Sequence, residues 1–256
     1  MRFHMLMVIL LAWAGSAQAA VEGRLVEYRH GDTVLEGYLA QDTAVEGKRP
    51  GILVVHEWKG LNDYAKRRAD QLAEMGYVAF AADMYGKGVR AKDHEEAGQL
   101  SGIYRGNRLL MRGRIKAALT ALLAQPGVDP QKIGAIGYCF GGMAALELAR
   151  SGADVKGVVG FHAPLDTPVP ARRGSVKAKV LVLNGADDSF VSSGVPDFEK
   201  EMKEAGVDYR LIQYPGAVHG FTVPEAGNDS STGVAYNAEA DQKSWEEMKR
   251  FFAELF

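Results

Sequence analysis

A pentapeptide around the single cysteine of the chain constrains the fold more than any other feature. Cys139 lies in Gly137-Tyr138-Cys139-Phe140-Gly141, between an apolar run and a run with helical character. This Gly-x-nucleophile-x-Gly pattern is typical of a tight strand-to-helix turn, where flanking glycines allow close backbone approach. The alternative interpretation is a small buried cysteine in a glycine-rich turn. The pattern favours a nucleophile that projects from the carboxyl end of a buried strand.

The rest of the chain supports an α/β architecture. After a predicted hairpin turned at Gly31-Asp32, apolar strand-like runs alternate with amphipathic helix-like runs. Such alternation predicts a mostly parallel, doubly wound sheet with helices on both faces, as in the α/β-hydrolase fold. Residues 83–107 are polar and are predicted to form an irregular stretch, too short for more than a small lid. A length of 256 residues, 47% hydrophobic composition and a net charge of -2 fit one globular domain and give no indication of a nucleic-acid partner.

The first residues have the pattern of a secretory leader. Arg2 precedes an apolar run, and Ala17-Gln18-Ala19 is a small-x-small cleavage signal. We therefore predict a signal peptide over residues 1–19, a single domain over residues 20–256 and an exported protein, periplasmic or secreted. The alternative is an uncleaved amino-terminal anchor. No later run is long and apolar enough to predict stable membrane insertion.

Three predicted strand ends carry reactive side chains in the order Cys139, Asp188, His219. This is the chain order of nucleophile, acid and histidine in hydrolases with such a turn. The imidazole would take the thiol proton, and the carboxylate would orient the ring and stabilise its charged form. The backbone N–H groups of Phe140 and Trp58 are the candidate donors to a developing oxyanion.

Two of these assignments have competitors within the chain. His162 also follows a predicted strand, but it precedes Asp188 and breaks the expected order, so His219 is favoured as the base. Asp187 competes with Asp188, because an aspartate in a glycine-containing turn is often only a turn former. No cluster of His, Asp or Glu has metal-ligand spacing, and we expect neither a metal nor an organic cofactor.

Five segments together resemble the dienelactone hydrolase family. They are His56-Glu57-Trp58-Lys59-Gly60-Leu61-Asn62, Ala82-Asp83-Met84-Tyr85-Gly86, Gly137-Tyr138-Cys139-Phe140-Gly141-Gly142, Asn184-Gly185-Ala186-Asp187-Asp188-Ser189-Phe190-Val191 and His219-Gly220-Phe221. The resemblance covers nearly all of the chain after the leader and implies the α/β-hydrolase fold. It also favours Asp188 as the acid and implies that Glu57 helps to generate the thiolate, the alternative for Glu57 being a loop-bonding carboxylate.

The resemblance further implies residues that contact the substrate. We predict Tyr85, Lys87 and Phe221 as substrate-binding residues, with Lys87 in the place of one of two basic residues that hold a substrate carboxylate. Val223 stands where the second basic residue is expected, so dienelactone itself is in doubt as the substrate. Arginines that could act instead from loops are Arg105, Arg172 and Arg173.

These observations predict hydrolysis of a small ester or lactone through a thioester on Cys139. The leader suggests that this substrate lies outside the cytoplasm. The alternative function is a non-catalytic or redox-sensing protein that keeps the fold, with Cys139 as a sensor thiol. The sequence predicts no particular oligomeric state.

Overall fold

An eight-stranded sheet organises the part of the chain that the computed structural model describes, residues 20–256. The predicted signal peptide over residues 1–19 lies outside the described residues. The strands are β1 (Val21–His30), β2 (Thr33–Asp42), β3 (Arg49–Val55), β4 (Val78–Ala82), β5 (Val128–Tyr138), β6 (Gly157–Phe161), β7 (Lys179–Gly185) and β8 (Tyr209–Tyr214). The α-helices are α1 (Asp63–Glu74), α2 (His94–Gly106), α3 (Arg108–Leu123), α4 (Phe140–Arg150), α5 (Val195–Ala205) and α6 (Ala238–Ala253). No helix between residues 20 and 256 combines the length and the apolar character that a membrane span requires.

The sheet is mostly parallel, as predicted. Its strand order is β1-β2-β4-β3-β5-β6-β7-β8. The pairings from β4 and β3 through to β8 are parallel, whereas β1 with β2 and β2 with β4 are antiparallel. The predicted turn joins β1 to β2, with Gly31 at a φ of +58°. The carboxyl ends of β3, β5, β6, β7 and β8 therefore lie along one edge of the sheet.

Helices cover both faces of the sheet and bury two separate apolar cores. One core contains side chains of α3, α4 and α5, and the other contains side chains of α1 and α6. Adjacent residues of β6 face opposite ways, with Val158 in the first core and Val159 in the second. A strand buried on both faces needs apolar residues at successive positions, which explains the unbroken apolar runs of the sequence.

Helix α2 lies where the sequence was predicted to be irregular. Asp93 caps it by accepting a hydrogen bond from the backbone N–H of Glu96 at 2.9 Å. The Glu96 side chain in turn accepts from the backbone N–H of Lys92 at 2.8 Å. An aspartate followed three residues later by a glutamate is a helix-start signal. The expectation of an irregular stretch over residues 83–107 was therefore wrong for its second half.

Candidate active site

Cys139 occupies a strained turn between β5 and α4. Its backbone has φ +50° and ψ -116°, a conformation that residues other than glycine rarely adopt. The flanking glycines permit it, because a Cβ at Gly137 would lie 2.0 Å from the carbonyl oxygen of Gly141. A Cβ at Gly141 would lie 2.2 Å from the carbonyl oxygen of Val55 in β3. The glycines thus let the turn sit against the sheet with the thiol projecting from it.

The structure brings the three predicted reactive side chains into one line of hydrogen bonds. His219 Nε2 lies 3.1 Å from Cys139 Sγ, and His219 Nδ1 lies 2.8 Å from Asp188 Oδ2. Asp188 is fully buried, and its other oxygen accepts from the backbone N–H of Phe190 at 3.0 Å. Asp187, the competing acid, is exposed.

The charges around these groups favour proton transfer inside the site. Burial disfavours a charged His219, but the charge of Cys139 and the hydrogen bonds from Asp188 and Cys139 outweigh it and raise the pKa of His219 to about 10. Burial also raises the pKa of Glu57 to about 7, and the charges of His219 and Lys59 only partly oppose that shift. Glu57 therefore changes its charge near neutral pH, close to the reactive groups.

The loop after β3 presents the other predicted oxyanion donor. His56 accepts from the backbone N–H of Met84 at Nε2, at 3.2 Å, so its Nδ1 carries the proton and donates to the carbonyl of Glu57. The Tyr85 hydroxyl donates to the carbonyl of Trp58 at 2.8 Å. These bonds fix the loop from below, while Phe140 starts α4, where backbone N–H groups have no acceptor within the helix.

A cavity of about 1110 Å³ opens over the thiol. Its floor consists of Glu57, Trp58, Cys139 and His219, which lie in segments that follow the ends of sheet strands. Its rim consists of His94, Gly98, Ser101 and Arg105 from α2 together with Val223, Glu225, Thr232 and Val234 from the segment after His219. The cavity is slightly larger than most small-molecule sites.

Comparison with known proteins assigns the family. The sequence model of the dienelactone hydrolase family matches residues 35–256 of the chain. The chain belongs to the dienelactone hydrolase family. This confirms the predicted resemblance and identifies the chain as a hydrolase of that family.

Individual relatives agree with that family assignment. A Synechocystis protein with the provisional name carboxymethylenebutenolidase is 28% identical over 248 residues, which are 91% of this chain and 96% of that protein. The solved structure of m3DLH has a TM-score of 0.88 and 39% identity, covering 93% of this chain and 99% of that one. The structure of P91, a dienelactone hydrolase-like promiscuous phosphotriesterase from metagenomic libraries, has a TM-score of 0.85 and 40% identity, covering 92% and 99%. The predicted α/β-hydrolase fold is thereby confirmed.

Three residues that the family resemblance suggested as substrate contacts do not line the cavity of this protein. Lys87 forms ion pairs with Glu27 on β1 and with Glu36 on β2, the latter at 3.1 Å. Tyr85 is buried beneath the Trp58 loop and supports it. Phe221 is fully buried, with its ring centroid 5.4 Å from that of His162. None of these three side chains lines the cavity, and their contact with a substrate stays a prediction.

Other basic residues line the cavity instead. Lys59 and Arg105 line it, and neither forms an ion pair with any residue between 20 and 256. Arg172 and Arg173, the other arginines considered, do not line it. Val223, which replaces the second basic residue of the family pattern, does line it.

The acidic groups at the cavity mostly have basic partners of their own. Asp63 pairs with Lys66, Asp166 with Arg108 and Glu225 with Arg67. The remaining acid, Glu57, is only partly ionised near neutral pH because its pKa is about 7. The charges that stay uncompensated inside the cavity are therefore mainly positive.

Three of the four rim residues on α2 escaped the sequence prediction because this helix was missed. His94, Gly98, Ser101 and Arg105 follow one another at spacings of four, three and four residues, which place them on one face of a helix. Only Arg105 was considered beforehand. The helical spacing, read together with the Asp93 cap, was the signal that could have identified this face.

Proposed function

We propose that this protein hydrolyses carboxylic esters or lactones through a thioester on Cys139. The Cys139 thiolate attacks the carbonyl carbon, and the backbone N–H groups of Phe140 and Trp58 hold the resulting oxyanion. The C–O bond then breaks, and the leaving oxygen takes the proton of the His219 imidazolium. His219 next removes a proton from water, whose oxygen attacks the thioester; the C–S bond breaks, and the acid product and the thiolate are released. The observation that carries this proposal is the continuous hydrogen-bond line from Asp188 through His219 to Cys139 Sγ.

Within this mechanism we assign proton transfer to His219 and not to Glu57. The imidazole is the hydrogen-bond partner of the thiol, whereas Glu57 lines the cavity nearby. Ionisation of Glu57 near pH 7 places a negative charge beside the attacking group, and a neutral Glu57 removes it. Glu57 thus adjusts how readily the thiolate forms.

The cavity favours an ester or lactone that carries an anionic group. Lys59 and Arg105 line the cavity and have no ion-pair partner among residues 20–256, while the acids of the cavity are paired or partly neutral. A bound carboxylate would satisfy both cations, and the arginine fork can donate two parallel hydrogen bonds to it. The volume of about 1110 Å³ also leaves space for a substrate well beyond a single lactone ring.

Substitution of the nucleophile tests the reaction. Cys139→Ala is expected to lower kcat for p-nitrophenyl esters by roughly 10³-fold or more, since the attacking atom is removed. Mass spectrometry of the wild-type protein mixed briefly with a slowly hydrolysed ester should show an acyl adduct on Cys139 that is absent from Cys139→Ala. Undiminished turnover by Cys139→Ala would overturn the proposal. Iodoacetamide labelling of Cys139 without any ester turnover would instead favour the non-catalytic, redox-sensing alternative.

The charge preference has its own test. Lys59→Gln and Arg105→Gln should each raise KM for an anionic aryl ester by roughly 5- to 20-fold, as expected for loss of a partly exposed charge contact. The KM of a neutral ester of similar size should change little. Arg172→Gln, outside the cavity, is the matched control. Equal effects on neutral and anionic esters would contradict an anion-binding role.

Phosphotriesters are a second candidate substrate class. The relative P91 is 40% identical over 92% of this chain and is described as a promiscuous phosphotriesterase. A thiolate that attacks an ester carbonyl can also attack phosphorus, and the cavity has room for a three-armed substrate. Release of p-nitrophenolate from diethyl p-nitrophenyl phosphate, lost in Cys139→Ala, would support this activity. Its absence would restrict the protein to carboxylic esters and lactones.

We also propose that the protein is exported. The support is the leader pattern that ends at Ala19. Expression of the full chain in a bacterial host, followed by cell fractionation and an intact-mass measurement, should give an extracytoplasmic protein that begins at Ala20. A cytoplasmic protein that retains residues 1–19 would contradict export.

A further inference from the structure

Two residues other than glycine have a positive φ in the described part of the chain, Cys139 at +50° and His162 at +37°. Each directly follows a central strand, Cys139 after β5 and His162 one residue beyond the end of β6. The nucleophile turn explains Cys139. Backbone strain of this kind persists where the surrounding structure enforces it, and it concentrates at functional sites. His162 takes no part in the proposed proton transfers, so its strained position calls for a separate role.

A series of hydrogen bonds holds the ring of His162 in place. Arg68 Nε donates to the Tyr64 hydroxyl at 3.2 Å. The Tyr64 hydroxyl lies 2.7 Å from Thr222 Oγ1, which lies 2.8 Å from His162 Nε2. Whichever hydroxyl donates to the other, Thr222 Oγ1 is the hydrogen-bond partner of Nε2 and holds that edge of the His162 ring.

This series of hydrogen bonds extends from His162 to α6, the last helix of the protein. Arg68 on α1 donates to Asp241 on α6 at 2.5 Å and to the Thr222 carbonyl at 3.0 Å. Arg68, Tyr64, Thr222 and His162 are all buried. His162 is thus held from two elements on one face of the sheet. A ring held in this way has one orientation.

The ring of His162 packs directly against the triad imidazole. The centroids of His162 and His219 are 5.2 Å apart, with the ring planes at 72°. His162 Nδ1 is buried and has no hydrogen-bond partner among residues 20–256. Burial and the nearby charge of His219 hold the pKa of His162 well below its usual range, so it stays neutral beside a charged His219. The second ring against His219, that of Phe190, is 62% exposed and is therefore less firmly fixed.

We propose that His162 is a positioning residue that keeps His219 aligned during hydrolysis of the acyl-enzyme. This inference rests on the proposed thioester mechanism. In the resting state the ring of His219 is held at both nitrogens, by Asp188 and by the Cys139 sulfur. Once the sulfur is acylated, the charged partner at Nε2 is gone, and that nitrogen must point at water. The packing of His162 then supplies the constraint that the sulfur no longer gives.

Separate measurement of the two half-reactions tests the proposal. His162→Asn keeps a residue that tolerates positive φ but removes the aromatic ring. With enzyme in excess over a p-nitrophenyl ester, release of p-nitrophenolate reports acylation; the decay of the acyl adduct in intact-mass spectra reports deacylation. We expect acylation within about threefold of wild type and deacylation slowed by roughly 10- to 100-fold, the size of effect that a misplaced reacting group produces. The variant should therefore accumulate acyl-enzyme at steady state.

Thr222→Val is the second variant, because it removes the hydrogen bond to His162 Nε2 and retains the branched shape. It should slow deacylation in the same direction by a smaller factor, roughly 3- to 10-fold. It also provides the test if His162→Asn does not fold. Equal slowing of both half-reactions, or of neither, in the variants that fold would overturn the positioning role. Failure of the wild-type protein to form any acyl adduct would instead overturn the proposed mechanism itself.

Discussion

The floor and the rim of the cavity are built in different ways. The floor residues follow the ends of sheet strands, and their positions are set by backbone hydrogen bonds, glycine contacts and buried ion pairs. Cys139 is 6% exposed, and its partner Asp188 is completely buried. The rim residues project from α2 and from the segment after His219, and most of them are exposed.

Because of this difference, we expect the floor to determine the reaction and the rim to determine which substrate binds. Changes at the floor disturb atoms that must lie within hydrogen-bond distance of each other, so small displacements have large effects. Changes at the rim alter contacts that water partly screens, so they change binding in small steps. The rim can therefore vary while the reaction stays the same. Val223 and Arg105 are rim residues at which such variation would change the substrate and not the reaction.

The largest expected effect is that of Asp188→Asn, because Asp188 is the hydrogen-bond partner of the floor residue His219. Loss of the carboxylate removes the group that orients His219 and helps to raise its pKa, so kcat for a p-nitrophenyl ester should fall by roughly 10³-fold. The rate of iodoacetamide labelling of Cys139, followed from pH 5 to 10, should change its pH dependence in the variant. Asp187→Asn is the matched control and should stay within about threefold of wild type. The opposite result, an inactive Asp187→Asn and an active Asp188→Asn, would show that Asp187 and not Asp188 belongs to the triad.

The next effect concerns the backbone that carries the floor. A Cβ at Gly141 would lie 2.2 Å from the Val55 carbonyl oxygen and 2.6 Å from that of His56. Gly141→Ala should therefore lower the free energy of unfolding by about 3 kcal/mol, measured by urea denaturation. Gly102→Ala in α2 has no atom within 4 Å of its Cβ and should raise the free energy of unfolding by about 0.5–1 kcal/mol. Similar losses in both variants would mean that the close contact at Gly141 is not special.

The same contrast explains what the sequence could predict. The order of Cys139, Asp188 and His219 was readable because parallel strand ends share one edge of the sheet, and the topology brings those ends together. The strands and most helices were readable from unbroken apolar runs and caps.

The rim could not be predicted in the same way. Its residues come from a helix whose sequence is polar and from a segment without regular strands, so no apolar period marks them. The direction of the Lys87 side chain could not be predicted, because a motif gives only a position in the sequence. Its backbone N–H donates to the Val34 carbonyl at 2.9 Å, which places Lys87 beside β2. There its ammonium meets Glu27 and Glu36 and not the cavity.

A pH-dependent effect should distinguish the floor from the exposed surface. The pKa of Glu57 is raised from 4.5 to about 7, so the folded protein binds this proton more tightly than the unfolded chain. The contribution of Glu57 to stability is therefore greatest below pH 4.5 and is lost as the pH rises through 7. Relative to Glu57→Gln, wild type should lose on the order of 1–2 kcal/mol of unfolding free energy over this interval, a value reduced because the carboxyl group faces the cavity.

Urea denaturation of both proteins at several pH values measures that difference. Glu74→Gln, which removes an exposed carboxylate at the end of α1, is the control for the loss of one charge. If the free-energy difference between wild type and Glu57→Gln were the same at pH 4.5 and pH 7.5, Glu57 would not titrate in this range. Its proposed influence on the thiolate would then fail as well.

The smallest expected effect belongs to the two cations that line the cavity, and it depends on salt. Lys59 and Arg105 attract an anionic substrate through partly exposed charges, and dissolved ions screen such attraction over about 10 Å at 0.1 M salt. Raising sodium chloride from 0.05 to 0.5 M should increase KM for an anionic aryl ester by roughly 2- to 5-fold without changing kcat. The double variant Lys59→Gln/Arg105→Gln should lose this dependence, and a neutral ester should show none with either protein. A kcat that changes with salt would instead mean that these charges influence the catalytic step. Charges that only help to bind the substrate do not change the rate once the substrate is bound.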